Sequence, residues 1–169
     1  MEMNRRVFMK TVGAAALAVA ATGLLGGCGD NNTAKGYEIA LGEFTVRVAQ
    51  AEIKRSETVN TENASLRITP TVYVTYTGKG FSGAGYADVF KMKLGDADVA
   101  QTTTGTVAGV DFPLIDRTST YKPEFSAKSR AIYDAYDKGE ALKLLVTLSG
   151  QTAVFTFDRN GNVSGVAKA

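Results

Sequence analysis

From residue 37 onward, hydrophobic and polar side chains alternate with a period of two. In "EFTVRVA", Phe44, Val46 and Val48 fall on one face while Thr45 and Arg47 take the other. In "TVYVTYT", Val72, Val74 and Tyr76 oppose Tyr73, Thr75 and Thr77, and in "FKMKL" Phe90, Met92 and Leu94 alternate with Lys91 and Lys93. Such alternation predicts half-buried strands, because successive side chains of a strand point to opposite faces. Towards the C-terminus, "ALKLLVTL", "TAVFTFD" and "NVSGV" are separated by Ser149-Gly150-Gln151 and Asn160-Gly161. They predict a meander of three antiparallel neighbours, with a type I′ turn at Asn160-Gly161, since Asn-Gly tolerates positive φ. "SAKSRAIYDAYDKGEA", residues 126–141, is ambiguous. Ala127, Ala131, Ala135 and Tyr136 fall at helical spacing, while Ala131, Tyr133 and Ala135 also alternate. The expected class is all-β and mainly antiparallel, with room for one short helix.

The first 36 residues follow a different pattern. Between Lys10 and Gly26 there is no charge, and the uninterrupted apolar stretch from Val12 to Leu25 is rich in alanine. As a helix it would reach only about 21 Å, short of a hydrocarbon core of about 30 Å. A basic start, a short apolar run and small residues before a cysteine form a secretory signal pattern. Leu25-Gly26-Gly27-Cys28 resembles the lipobox of bacterial lipoproteins, in which diacylglycerol is attached to the thiol and the leader is cut away just before it. The resemblance implies residues 1–27 as leader, Cys28 as the lipidated N-terminus and residues 28–36 as a flexible tether. A domain over residues 37–169 follows. Asn4-Arg5-Arg6-Val7-Phe8-Met9-Lys10 also resembles a twin-arginine export signal, with Arg5, Arg6, Phe8 and Lys10 in the characteristic places. The implied location is extracytoplasmic, anchored by lipid to the cell membrane or envelope.

Removing the leader changes the charge. It takes Arg5, Arg6 and Lys10 from 19 basic residues and Glu2 from 17 acidic ones, leaving sixteen of each. A domain with no net formal charge has no global field to draw it to nucleic acid or to an anionic membrane. The chain has no histidine, no tryptophan and a single cysteine. Histidine-dependent triads, Cys/His zinc sites and intramolecular disulfides are therefore excluded for the chain acting alone. Neither a cofactor nor a metal is expected.

The strand pattern resembles the telokin-like, immunoglobulin-like domains carried by many bacterial lipoproteins. "TPTVYVTYTG", "FKMKLGDAD", "FSAKSRAIYDAY" and "LKLLVTLSGQTAVFTF" carry the resemblance, over about residues 40–158. It implies an antiparallel immunoglobulin-like β-sandwich and no particular chemistry.

Four local motifs have simpler explanations than catalysis. Ser119-Thr120-Tyr121-Lys122 matches S-x-x-K, but it lies among Thr, Ser and Pro123 with no helical pattern. Asp158-Arg159-Asn160-Gly161-Asn162 begins like a calcium loop, yet Val163 and Ala169 stand where Gly and Glu are required, so a hairpin turn is expected. Asp96 and Asp98 read as a solvated turn. "GKGFSGAGY", residues 78–86, lacks the Lys-Ser/Thr and the helix of a phosphate-cradling loop.

Sandwich domains carry recognition on end loops. The glycine-rich loop and the Thr-rich segment 102–120 are therefore the expected binding loops, with Lys79, Phe81, Tyr86 and Tyr121 as candidate contacts. Phe81 and Tyr86 are read first as plugging the sandwich end, and the seven tyrosines, numerous enough to suggest a sugar- or peptide-stacking face, as half-buried packing. The expected function is a non-enzymatic module that binds an envelope protein, peptide or glycan. The alternatives are a glycan hydrolase built on an acid pair and a cofactor or metal carrier suited to folded export.

Overall fold

The structure, a computed structural model, describes residues 37–56, 64–78, 81–108 and 117–169. The leader, Cys28, the tether and Lys79 lie outside the described residues.

Two five-stranded antiparallel sheets face each other. The first contains β1 (Tyr37–Leu41), β2 (Phe44–Ser56), β3 (Ser65–Tyr76) and β8 (Arg117–Tyr121) in that order, and β9 (Phe125–Lys128) also pairs with β3. In the second, β12 (Val163–Lys168), β11 (Gln151–Phe157), β10 (Leu142–Leu148), β5 (Phe90–Leu94) and β6 (Ala97–Val99) are neighbours. A two-stranded ribbon pairs β4 (Gly83–Gly85) with β7 (Thr106–Ala108). This is the all-β sandwich the alternation predicts.

The inward face of each strand is the apolar set read from period two. Phe44, Val46 and Val48 on β2 and Val72 and Val74 on β3 are buried against Phe90, Met92 and Leu94 on β5. Leu142, Leu144, Val146 and Leu148 from β10 join the same core, with Ala153, Phe155 and Phe157 from β11. β10 and β11 exchange partners from Leu142 opposite Phe157 to Leu148 opposite Gln151, and β11 goes on to pair with β12. The C-terminal meander is therefore present.

Its turns differ from expectation. The two-residue loop with positive φ at both positions, as type I′ requires, is Ser149 (φ 49°) and Gly150 (φ 70°). At Asn160-Gly161 only Gly161 is left-handed, at φ 80°. Gly161 N–H donates to the Asp158 carbonyl at 3.1 Å, and Asp158 N–H donates to the Asn162 carbonyl at 2.8 Å. That is a three-residue loop ending in a left-handed glycine. The reason is local: Asp158 Oδ1 accepts the amides of Asn160 and Asn162, both at 2.8 Å, and so sets the path of the loop.

Pro70 governs the open side of β3. That strand pairs with β9 over Ser65–Ile68 and with β8 over Val72–Tyr76. Pro70 lies between the two stretches, where a residue with no N–H cannot extend either ladder. Opposite it, β2 bulges between Val48 and Ala51. Ala51 N–H then donates to the Gly161 carbonyl at 2.7 Å, joining the first sheet to a hairpin of the second.

The ambiguous segment divides in two. Phe125–Lys128 is strand, and α2 runs over Arg130–Lys138. Tyr133 and Tyr136, three apart and so on one face, are its buried residues. Gly139 (φ 89°) ends the helix, its N–H donating to the Tyr136 carbonyl while Glu140 N–H reaches the Ala135 carbonyl, in a Schellman arrangement. A second helix, α1 (Tyr86–Val89), is a single turn.

Candidate functional site

The two expected binding loops meet. The ribbon of β4 and β7 joins the glycine-rich loop to the start of the Thr-rich segment, and Tyr86 N–H donates to the Gly105 carbonyl at 2.8 Å. Their aromatic side chains are engaged in packing. Phe81 stands edge-on to Phe44 at 4.8 Å between ring centroids and lies 5.7 Å from Tyr76, closing the end of the sandwich. Tyr86 stands edge-on to Phe90 at 5.3 Å and to Tyr121 at 6.0 Å. A Cβ at Gly105 would meet the Tyr86 ring at 2.8 Å, so the glycine makes room for it. Burial, and then the neighbouring Tyr121 hydroxyl, push the Tyr86 phenol above its usual value.

The remaining motifs take the places their simpler explanations require. Ser119 lies in β8 opposite Val74, and Lys122 follows the strand, three residues on and not one helical turn away. Asp98 pairs with Lys93 at 3.6 Å, and Asp96 sits in the turn between β5 and β6. The Asp158 carboxylate is held by its own loop, Oδ2 accepting from the Asn162 amide at 3.1 Å. That side-chain bond, with the backbone N–H groups of the turn, draws its pKa down. Among the described residues no group of three or more metal-ligating side chains occurs. Tyr73 lies beneath the Arg47 guanidinium at 3.9 Å, and Tyr37 donates to the Ser164 carbonyl at 3.4 Å, so the tyrosines do not assemble into one stacking face.

A different place gathers chemistry. At the opposite end of β2 from Phe44, a cavity of about 210 Å³ is lined by Ile53, Arg55, Tyr136, Asp137, Arg159 and Asn160. Three elements supply it: the end of β2, the last turn of α2 and the hairpin between β11 and β12. Arg55 Nη2 donates to the Tyr133 hydroxyl at 2.9 Å and pairs with Asp137 Oδ1 at 2.6 Å, with the guanidinium 5.0 Å from the Tyr133 ring centroid. Arg159 Nη2 donates to the Asp137 carbonyl at 2.7 Å, where the exposed carbonyls of a helix end favour a cation. Tyr136 donates to the Arg159 carbonyl at 2.7 Å and thereby fixes the hairpin on the helix. Burial raises the Tyr136 phenol, with Arg55 and Arg159 opposing the rise.

Of the six lining residues, the sequence drew attention only to Asn160, in the calcium-loop-like motif, and to Tyr136, among the tyrosines, and to neither for this site. Their segments are far apart along the chain, and only the bulge of β2 and the seating of α2 bring them together. The one local signal was the hairpin motif Asp158–Asn162, which marked a turn.

No family model matches the chain, and no curated protein matches it. Among solved structures, the chain is similar to a crystal structure from Bacillus subtilis described as a "putative lipoprotein (ycdA)", with 16% identity and a TM-score of 0.49. The match covers 72% of this chain and 38% of that one, so the chain spans well under half the length of its structural neighbour.

Proposed function

We propose that this chain is an envelope lipoprotein, anchored through Cys28, whose β-sandwich serves as a non-enzymatic binding module. The observation that carries the reading is the single cysteine at the end of Leu25-Gly26-Gly27-Cys28, with the first strand among the described residues beginning at Tyr37. A thiol at the mature N-terminus supplies the nucleophile for lipid attachment, and two or three acyl chains anchor stably where one holds marginally. Arg5, Arg6, Phe8 and Lys10 favour the twin-arginine route. The absence of histidine and of any second cysteine from the sequence favours binding over catalysis.

The acid-pair alternative has less support. It needs two carboxylates in a cleft with one held protonated near neutrality. The cavity has one carboxylate in its lining, Asp137, which is paired with Arg55, and the pKa of neighbouring Asp158 moves down instead of up.

The test is expression in a bacterial host supplied with a clickable fatty acid, followed by mass spectrometry of the N-terminus. The label is expected on Cys28 and absent from Cys28→Ser, with the wild-type chain in the membrane fraction. An unmodified thiol, or intact precursor free in the cytosol, overturns the anchor. Turnover of an envelope glycan by the purified chain overturns the non-enzymatic reading.

A further inference from the structure

We infer that the cavity between β2, α2 and the β11–β12 hairpin binds a singly charged phosphodiester, supplied by an anionic lipid headgroup or by a soluble polyol phosphate. The inference deepens the proposed function, since it gives the binding module a site and a ligand class.

Two guanidiniums line one cavity, and each is held by a single nitrogen. Arg55 uses Nη2 for both Tyr133 and Asp137, and Arg159 uses Nη2 for the Asp137 carbonyl. Arg55 Nη2 thereby spends both its hydrogens and Arg55 contributes charge alone, whereas Arg159 Nη2 has a second hydrogen to complete a fork, and Arg159 makes no ion pair among the described residues. A guanidinium edge matches the two free oxygens of a phosphodiester, which accept parallel N–H bonds. Capping a helix end requires only a donor, so the uncompensated charge of Arg159 is available for a second use.

Charge and shape narrow the class. Arg55, Arg159 and Asp137 give the lining a formal charge of +1, which complements a monoanion better than a phosphomonoester dianion. Asp158 stands nearby and stays ionised, held by N–H groups of its own turn, so it lowers the local positive charge and counts further against a dianion. Ile53 and the Tyr136 ring offer apolar wall to the carbons flanking the ester.

Position adds an independent observation. β1 begins at Tyr37 beside Val48 and runs antiparallel to β2, away from the cavity. The Tyr37 hydroxyl meets Ser164, two residues beyond the hairpin that carries Arg159 and Asn160. The N-terminal end of β1 therefore faces towards the cavity end of β2. If Cys28 carries lipid, only residues 29–36 separate it from the first residue of β1, which limits how far the domain can stand from the headgroups.

The test uses the full chain with Cys28→Ser, purified in a non-ionic detergent and titrated calorimetrically with glycerophosphoglycerol. Saturable binding at millimolar concentration or tighter is expected, weakened about tenfold by Arg159→Gln and unchanged by Lys91→Gln, which removes an equal charge from the outer face of β5. If Arg159→Gln does not fold, Arg159→Lys keeps the charge and should also weaken binding about tenfold through loss of the fork. A second arm floats the same chain with phosphatidylglycerol vesicles. Arg159-dependent flotation identifies a headgroup as the source, whereas saturable titration without flotation identifies a soluble diester.

Absence of both, equal losses in the Arg159 and Lys91 variants, or equal binding of acetate overturns the assignment. The probe chain carries no lipid, so a failed titration leaves the labelling of Cys28 untouched, and a failed labelling leaves the titration untouched.

Discussion

Gly161 has two separate reasons to be glycine. Its backbone is left-handed, and a Cβ there would overlap the Ala51 carbonyl oxygen across the two sheets. Relief would have to come from backbone, which is costlier than moving a side chain. Gly161→Ala is therefore expected to lose about 2–3 kcal/mol in urea unfolding. An unchanged midpoint would mean that the contact between β2 and the hairpin is not maintained in solution.

Beside it, Asp158 makes a pH prediction. Its folded pKa lies below the ordinary aspartate value, so its charge stabilises the fold above the unfolded pKa, and that stabilisation is lost as pH falls through the folded value. The gap in melting temperature between wild type and Asp158→Asn should be full at neutral pH and close on acidification through and below the usual carboxylate range. Parallel melting curves would rule out this role. The turn itself was legible because Asp, Asn and Gly favour turns locally. Its type was not, because the hydrogen bonds of the Asp158 side chain outweigh the preference of the Asn-Gly pair.

At the scale of elements, legibility follows how much a local pattern decides. β2, β3, β5, β10 and β11 each bury one of two alternating sets, and a slip of one residue would expose all of it. Residues 126–141 offered no such contrast, since their alanines suit either conformation. Tyr133 and Tyr136 settle the choice through burial on one helix face, and Gly139 fixes the end. A Cβ at Gly139 would lie 2.8 Å from Arg159 Nη2 in addition to forcing a left-handed backbone. Gly139→Ala should cost about 1–2 kcal/mol and loosen the junction of α2 with the hairpin, seen as faster hydrogen exchange at both. Exchange that changes in α2 alone would show that the two are not coupled. The cavity was illegible for a complementary reason: strand patterning reports which face is buried, and Arg55, Asp137 and Arg159 lie at the ends of elements, where no period applies.

Across the whole molecule, one apolar cluster joins both sheets, and the two ends of the sandwich differ. Phe44, Tyr76 and Phe81 close the end with the β1–β2 turn by ring packing, while the other end holds the arginine-lined cavity. Phe155 lies fully buried on β11 in the centre of that cluster, whereas Phe81 is a partly exposed rim residue. Phe155→Ala should therefore cost about 3–5 kcal/mol, the usual range for emptying a core aromatic site. Phe81→Ala removes less buried surface and leaves an opening that water can fill, so a loss of about 1–2 kcal/mol is expected. If both sheets depend on the common core, fluorescence and circular dichroism of Phe155→Ala should report one coincident urea transition, moved to lower denaturant. Two separated transitions would instead mean that the sheets fold independently and that the contact of Ala51 with Gly161 is too weak to couple them. In that event the cavity, whose walls come from both sheets and from α2, would have no fixed shape with which to select a ligand.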